Sequence, residues 1–113
     1  MRIAITGSTS MIGIALSTIA LKEGHEVIAI VRPGSKRIMN LPKSKKIKVL
    51  ECEISDYQQI QYIEKCDMFF HLAWEKTFVD ERDDVRAQIK NIGYVIDAVD
   101  LAKSWASAVF IGI

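Results

Sequence analysis

The chain alternates between short, almost unbroken apolar runs and longer stretches whose apolar residues recur at helical spacing. Five runs read as strands: Arg2–Thr6, Glu26–Val31, Ile47–Cys52, Asp67–Leu72 and Ala106–Ile111. Each is rich in Ile, Val or Phe and lacks strict alternation, as expected of strands covered on both faces of a parallel sheet. Between the first two, Ile12, Leu16 and Ile19 fall at helical spacing in Met11–Glu23, and Gly24 stands where a helix ends on a left-handed residue. Ser55 and Gln58 form a capping box that predicts a short helix through Ile63. The longest helix is expected over Asp80–Lys103, with Val85, Ile89, Ile92, Ile96 and Val99 on one face. Asp80, Glu81, Asp83 and Asp84 crowd its start, where the helix dipole favours acids. Pro33–Lys46 is the least regular interval, with one turn of helix around Lys36–Leu41. Right-handed crossovers turn this order into a Rossmann-like α/β fold. It is a doubly wound parallel sheet with strand order 3-2-1-4-5, in three α/β/α layers.

Composition narrows the function without choosing it. A chain of 113 residues with 50% apolar and 26% charged residues is sized for one globular domain, spanning 1–113. Its net charge of +1 lacks the basic excess expected of a nucleic-acid or membrane-surface binder. No apolar run approaches the roughly 20 residues of a membrane span, and Met1-Arg2 leads straight into a strand with no secretory pattern. The expected setting is cytoplasmic. Cys52 closes the third strand and Cys66 precedes the fourth, opposite ends of a parallel sheet and roughly 17 Å apart for an ordinary strand. Neither a disulfide nor a shared metal fits that separation.

The chemistry sits in Thr6-Gly7-Ser8-Thr9-Ser10-Met11-Ile12-Gly13, between the first strand and the first helix. A glycine leaving the strand permits a turn of positive φ, and one a turn into the helix permits close packing on the sheet. The pair presents backbone N–H groups at a helix N-terminus to a diphosphate. No Gly-Lys-Ser/Thr follows Gly7, so this is not a Walker loop, and Thr9 breaks a G-x-G-x-x-G pattern. On glycine spacing alone, a small-residue turn with no ligand stands as the alternative.

Thr6 to Gly13 resembles the T-G-x-x-G-x-x-G loop of the short-chain dehydrogenase/reductase superfamily, in its extended branch of NAD-dependent epimerases and dehydratases. Glu53-Ile54-Ser55-Asp56 is similar to the family's D-[LI]-x-D beside the adenine. His71-Leu72-Ala73 is similar to its H-L-A beside the ribose and phosphates, and Asn91 followed by Gly93 to its N-x-x-G helix. The resemblance implies a bound NAD or NADP touched by Gly7, Thr9, Ser10, Met11, Ile12, Gly13, Glu53, Ile54, Leu72, Ala73 and Asn91. Two positions depart from the pattern. Ser10 replaces the middle glycine, and its hydroxyl could bond a phosphate or crowd it; Glu53 is one methylene longer than the usual Asp.

An acid near the end of the second strand normally grips the ribose of NAD. Here Val31-Arg32 occupies that place and no acid appears between Arg32 and Lys48. Arg32, aided by Lys36 or Arg37, suits a 2′-phosphate, which leans the expectation to NADP; the bland reading is a solvated basic loop. Trp74 is open between a place near the nicotinamide and a loop anchor, and Trp105 is expected at the rim of the core. His71 is expected to be structural, since it has no evident carboxylate-Ser or metal partner.

The superfamily's Tyr-x-x-x-Lys pair is absent: Gln61, Cys66 and Ala98 stand four residues after Tyr57, Tyr62 and Tyr94. No catalytic residue is therefore assigned. The expectation is the cofactor-binding N-terminal part of an epimerase or dehydratase, acting on a sugar nucleotide in intact relatives and inactive alone. It ends at the fifth strand. The alternatives are a non-catalytic module that senses a dinucleotide or scaffolds a partner, and half of a split enzyme. An open fifth strand and an uncovered stripe on the long helix also predict a homo-oligomer.

Overall fold

Five parallel strands lie side by side in the order β3-β2-β1-β4-β5, the order expected from the sequence. They are β1 (Arg2–Thr6), β2 (Glu26–Val31), β3 (Ile47–Glu51), β4 (Met68–His71) and β5 (Val109–Gly112). The computed structural model describes residues 1–60, 65–74 and 84–112. Helix α1 (Met11–Lys22) connects β1 to β2, and α2 (Val85–Ser104) precedes β5. Short 3-10 turns at Lys36–Asn40 and Ile54–Gln59 follow β2 and β3. No helix among the described residues is long and apolar enough to cross a membrane.

The apolar runs of the central strands are buried on both sides. Ile3, Ile5, Val27, Ala29 and Val31 face the α1 side with Ala20 and Leu41. Ala4, Ile28, Ile30 and Phe69 face the other side with Ala98, Leu101, Ala102 and Trp105. Trp105 is not at the rim: it is wholly buried, tilted against Phe69 at 6.0 Å between ring centres. The turn that ends α2 folds the indole back beneath the helix, where burying a ring of this size is favourable by about 2–3 kcal/mol.

Both helices turn mainly small residues toward the sheet, with Leu101 buried in α2 and Leu16 of α1 half-buried against the core. Gly13, Ser17 and Ala20 are the buried positions of α1, while Ile12 and Ile19 are more than half exposed. In α2 the buried positions are Ala87, Asn91, Ala98, Leu101 and Ala102. Val85, Ile89, Ile92 and Ile96, the stripe read from the sequence, face outward at 58–69% exposure. A two-residue offset is 200° on a helix, so two apolar stripes offset by two lie back to back. The sheet selects the stripe that allows the closer approach.

Several boundaries differ from expectation for local reasons. Glu53, not Ser55, is the residue before the Ile54–Gln59 turn, because burial of Ile54 and Tyr57 sets its register; Ile63 lies outside the described residues. Asp84 caps α2 by accepting from the Ala87 N–H at 3.1 Å, and Asp80, Glu81 and Asp83 lie outside the described residues. Strand β5 begins at Val109, not Ala106, because Ala106 terminates α2 at φ 55°. The two helices end alike. Gly24 N–H bonds Leu21 O and His25 N–H bonds Ala20 O after α1; Ala106 N–H bonds Lys103 O and Ser107 N–H bonds Ala102 O after α2. The first motif places glycine at the left-handed position (φ 87°), whereas the second forces a methyl group there. Ala106→Gly is therefore expected to raise stability by about 1 kcal/mol and Gly24→Ala to lower it by a similar amount. Thermal unfolding of the two variants should move in opposite directions by several degrees.

Candidate cofactor site

Strands β2 and β3 run to one side of β1 and β4 and β5 to the other, so the chain changes direction between β1 and β4. The crevice at such a reversal, at the carboxyl ends of the strands, is where open α/β sheets bind ligands. Thr6 and His71, the last residues of β1 and β4, are paired there.

Gly7 turns out of β1 at φ 64°, and a Cβ on it would lie 2.9 Å from the Ala73 nitrogen and from the Leu72 carbonyl carbon. Gly13 is as confined. A Cβ on it would meet the Gly7 oxygen and stand 2.7 Å from Ser8 Cα. The α1 N-terminus is thus pressed onto the turn, and the turn onto β4. Ser8 is fully buried, its hydroxyl donating to the Ile5 carbonyl. Thr9 is half-buried, and Met11 and Ile12 are 82% and 55% exposed.

The Ser10 hydroxyl is engaged within the turn itself: it donates to Gly7 O at 2.7 Å and accepts from Gly13 N–H at 3.1 Å. Ser10 is the N-cap of α1. The next two amides, of Met11 and Ile12, meet no acceptor among the described residues.

On the β4 side, Thr6 Oγ1 accepts from the Leu72 and Ala73 amides at 3.0 and 3.3 Å and pairs with His71 Nδ1 at 2.8 Å. With two amides already on its oxygen, Thr6 donates to Nδ1, which places the imidazole proton on Nε2. His71 is 1% exposed, lies edge-on to Tyr57 and stacks with Phe110, and Nε2 finds no partner among the described residues. Burial pushes its pKa down to about 4 and pushes the Tyr57 phenol well above its ordinary range. Thr6 and Ser8 belong to the loop motif, but the motif assigns neither a contact; small polar residues flanking Gly7 are the available signal.

The remaining expected residues are more dispersed. Arg32 is exposed just past β2, in a turn where Ser35 N–H bonds Arg32 O and Gly34 has φ 70°. An acid does reach this turn, from β3: Glu51 Oε1 accepts from Gly34 N–H at 3.2 Å. Glu53 is exposed, but the Ile54 side chain is a core residue, so only its backbone can face an adenine. Leu72 and Ala73 are half-buried beside Gly7, and Trp74 is 38% exposed. Asn91 is buried, with Nδ2 donating to Gln88 Oε1 at 3.0 Å. It stands two residues from Gly93, not three, so the two fall on opposite sides of α2, and Gly93 faces open space. Cys52 is half-buried and Cys66 buried, and they are not joined in a disulfide.

A parallel sheet in this order, with a glycine turn leading onto a helix at its switch point, defines the dinucleotide-binding class of α/β fold. Residues 3–112 match the NAD dependent epimerase/dehydratase family, and the chain belongs to that family. Among solved structures it is similar to a UDP-galactose 4-epimerase (TM-score 0.79, 19% identity, 99% of this chain and 37% of that one). It is also similar to the Bordetella bronchiseptica enzyme WbmG in complex with NAD (0.77, 22%, 99% and 36%). A third is the epimerase Mth375 from Methanothermobacter thermautotrophicus (0.73, 20%, 98% and 34%). The chain spans about a third of the length of these proteins. No curated protein is a significant match.

Because the unfolded chain's histidines titrate near 6.5 and His71 near about 4, the unfolded state binds more protons between those values. Stability is therefore expected to be full above pH 6.5 and to fall, by up to about 3 kcal/mol, as pH drops toward 4. His71→Asn keeps an acceptor for Thr6 and removes the titration. Denaturant melts across this window should show a flatter pH dependence in the variant.

Proposed function

We propose that residues 1–113 form an NAD(P)-binding unit of the epimerase/dehydratase type, which holds a dinucleotide but does not turn over substrate by itself. The observation that carries this is the pair of unpartnered amides on Met11 and Ile12, fixed at a helix N-terminus over the switch-point crevice. Gly7, Thr9, Ser10 and Gly13 shape the turn, and the amides receive the diphosphate. Leu72 and Ala73 flank the nicotinamide-side ribose, with Asn91 behind them on α2. The Glu53-Ile54 backbone and Arg32 stand at the adenosine end. Two cysteines not joined in a disulfide suit a reducing cytoplasm.

Met11→Pro tests the reading directly. Proline is favoured at the first helical position, and Ser10 already has the extended backbone a following proline needs, with ψ 164°. The variant loses one donor and no helix, so NAD and NADP titrations should weaken about tenfold while the melting temperature stays put. Undiminished binding, or no saturable binding of either cofactor to the unmodified chain, counts against the site.

NADP is the favoured form, on the exposed Arg32 and the basic Lys36 and Arg37 that follow it. Arg32→Ala should weaken NADP about tenfold and leave NAD nearly unchanged. Tighter binding of NAD to the unmodified chain excludes the preference. The sensing or scaffolding reading shares this binding step. Action on a sugar nucleotide is proposed only for a longer protein built on this unit, by likeness to the UDP-galactose 4-epimerase.

We further propose self-association through the outward stripe of α2, with the β5 edge as the other open surface. Arg86, Gly93 and Asp100 are spaced by seven along one flank of that stripe. An antiparallel second copy centred on Gly93 would set Arg86 against Asp100 of the partner subunit twice, with no side chain at the centre to hold the helices apart. Ile92→Glu should give a monomer by analytical ultracentrifugation, and an unchanged assembly would shift the contact to β5.

A further inference from the structure

Ser10 has a role that the glycine usual at this position of the family loop cannot perform. Resting on the dinucleotide reading above, we propose that Ser10 is a positioning residue. Its side chain locks the β1–α1 turn into its ligand-accepting shape before any ligand arrives, and thereby fixes which amides meet the diphosphate.

Four N–H groups at the start of a helix lack helical acceptors. Here two are consumed by the turn itself: Ser10 N–H bonds Gly7 O at 3.0 Å and Gly13 N–H bonds Ser10 Oγ at 3.1 Å. The hydroxyl proton goes to the same Gly7 carbonyl at 2.7 Å, so one side chain ties the first residue of the turn to the third residue of the helix. Gly7 and Gly13 are already in backbone contact, and Ser10 closes that contact with a hydrogen-bonded bridge. Its φ of −69° is an ordinary backbone value, so a side chain is carried here without strain. With glycine at this position, Gly13 N–H would remain a third free donor and the turn would be held only by its backbone bond to Gly7 O. With serine, Met11 and Ile12 are the remaining pair.

The test compares the unmodified chain with Ser10→Ala, Ser10→Thr and Ser10→Asp, reading amide hydrogen exchange and NAD titration on each. Ser10→Ala should speed exchange at Gly13 about fivefold, the factor that a cap of ordinary strength represents, and weaken NAD and NADP equally by a similar factor. Ser10→Thr should restore both. Ser10→Asp caps as well as serine, so Gly13 should stay protected, while the added charge beside the diphosphate weakens NAD at least tenfold and leaves adenosine unaffected. On adding NAD to the unmodified chain, the Met11 and Ile12 amides should gain protection and the Gly13 amide should not. Unchanged Gly13 exchange in Ser10→Ala overturns the lock. Tighter NAD binding by that variant, or gained protection at Gly13, shows instead that Gly13 is a ligand donor and overturns the proposal. If the unmodified chain binds no dinucleotide, the functional reading falls and the positioning role falls with it, whereas Gly13 exchange still reports whether the bridge exists.

Discussion

The tips of β1 and β4 and the first turn of α1 meet with no side chain between them. Gly7 lies against the Leu72–Ala73 peptide, Gly13 against Gly7 and Ser8, and either glycine would collide with backbone if it carried a Cβ. Backbone cannot yield by changing rotamer, so this three-way contact fixes the height and direction of α1 over the sheet. Thr6 reinforces it from below by collecting the Leu72 and Ala73 amides on one oxygen and pairing with His71. The direction of the Met11 and Ile12 amides follows from that contact.

The same demand for close approach explains why the helices present their small residues inward. A sheet of Ile, Val and Phe already fills its own interlayer space, and a helix laid on it with Gly13, Ser17 and Ala20 comes closer than one laid on isoleucines. Periodicity gave the helices but could not give their rotation, because it counts apolar residues and weights the large ones. In α2 two stripes compete, one of isoleucine and valine and one built largely of alanine with Asn91 and Leu101. Only the position of the sheet decides between them. The central strands suffered no such ambiguity, since runs buried on both faces have no wrong side. Strands β3 and β5, at the sheet's edges, are only partly covered rather than buried on both faces as expected.

The site was legible where it depends on backbone. Gly7 and Gly13 at that spacing after a strand permit a positive-φ turn and close helix packing, and both features are present. What a side chain does there was not legible. Ser10 could equally have faced outward to a phosphate or inward to the turn, and local hydrogen-bond competition, which no residue pattern displays, turned it inward. Glu51 at the Arg32–Ser35 turn is not legible in sequence because it arrives from the neighbouring strand, in register with Val31, rather than from the residues that follow β2. Ala106 at φ 55° was likewise invisible, since alanine carries no signal for a left-handed residue.

His71 shows how this architecture separates holding from reacting. It is a titratable group within the crevice wall, one residue from Leu72, and a base there would be well placed for proton transfer. Yet Nδ1 is committed to Thr6, Nε2 is enclosed, and burial keeps the ring neutral down to about pH 4. A general base needs a lone pair that reaches its substrate and a pKa near the working pH. His71 offers neither, and replacing its neighbours with polar residues would cost the packing of Tyr57 and Phe110 that holds β4 in place. The rigidity of the turn is therefore obtained by enclosing the nearest titratable side chain. Proton transfer at this crevice would have to come from groups outside this contact.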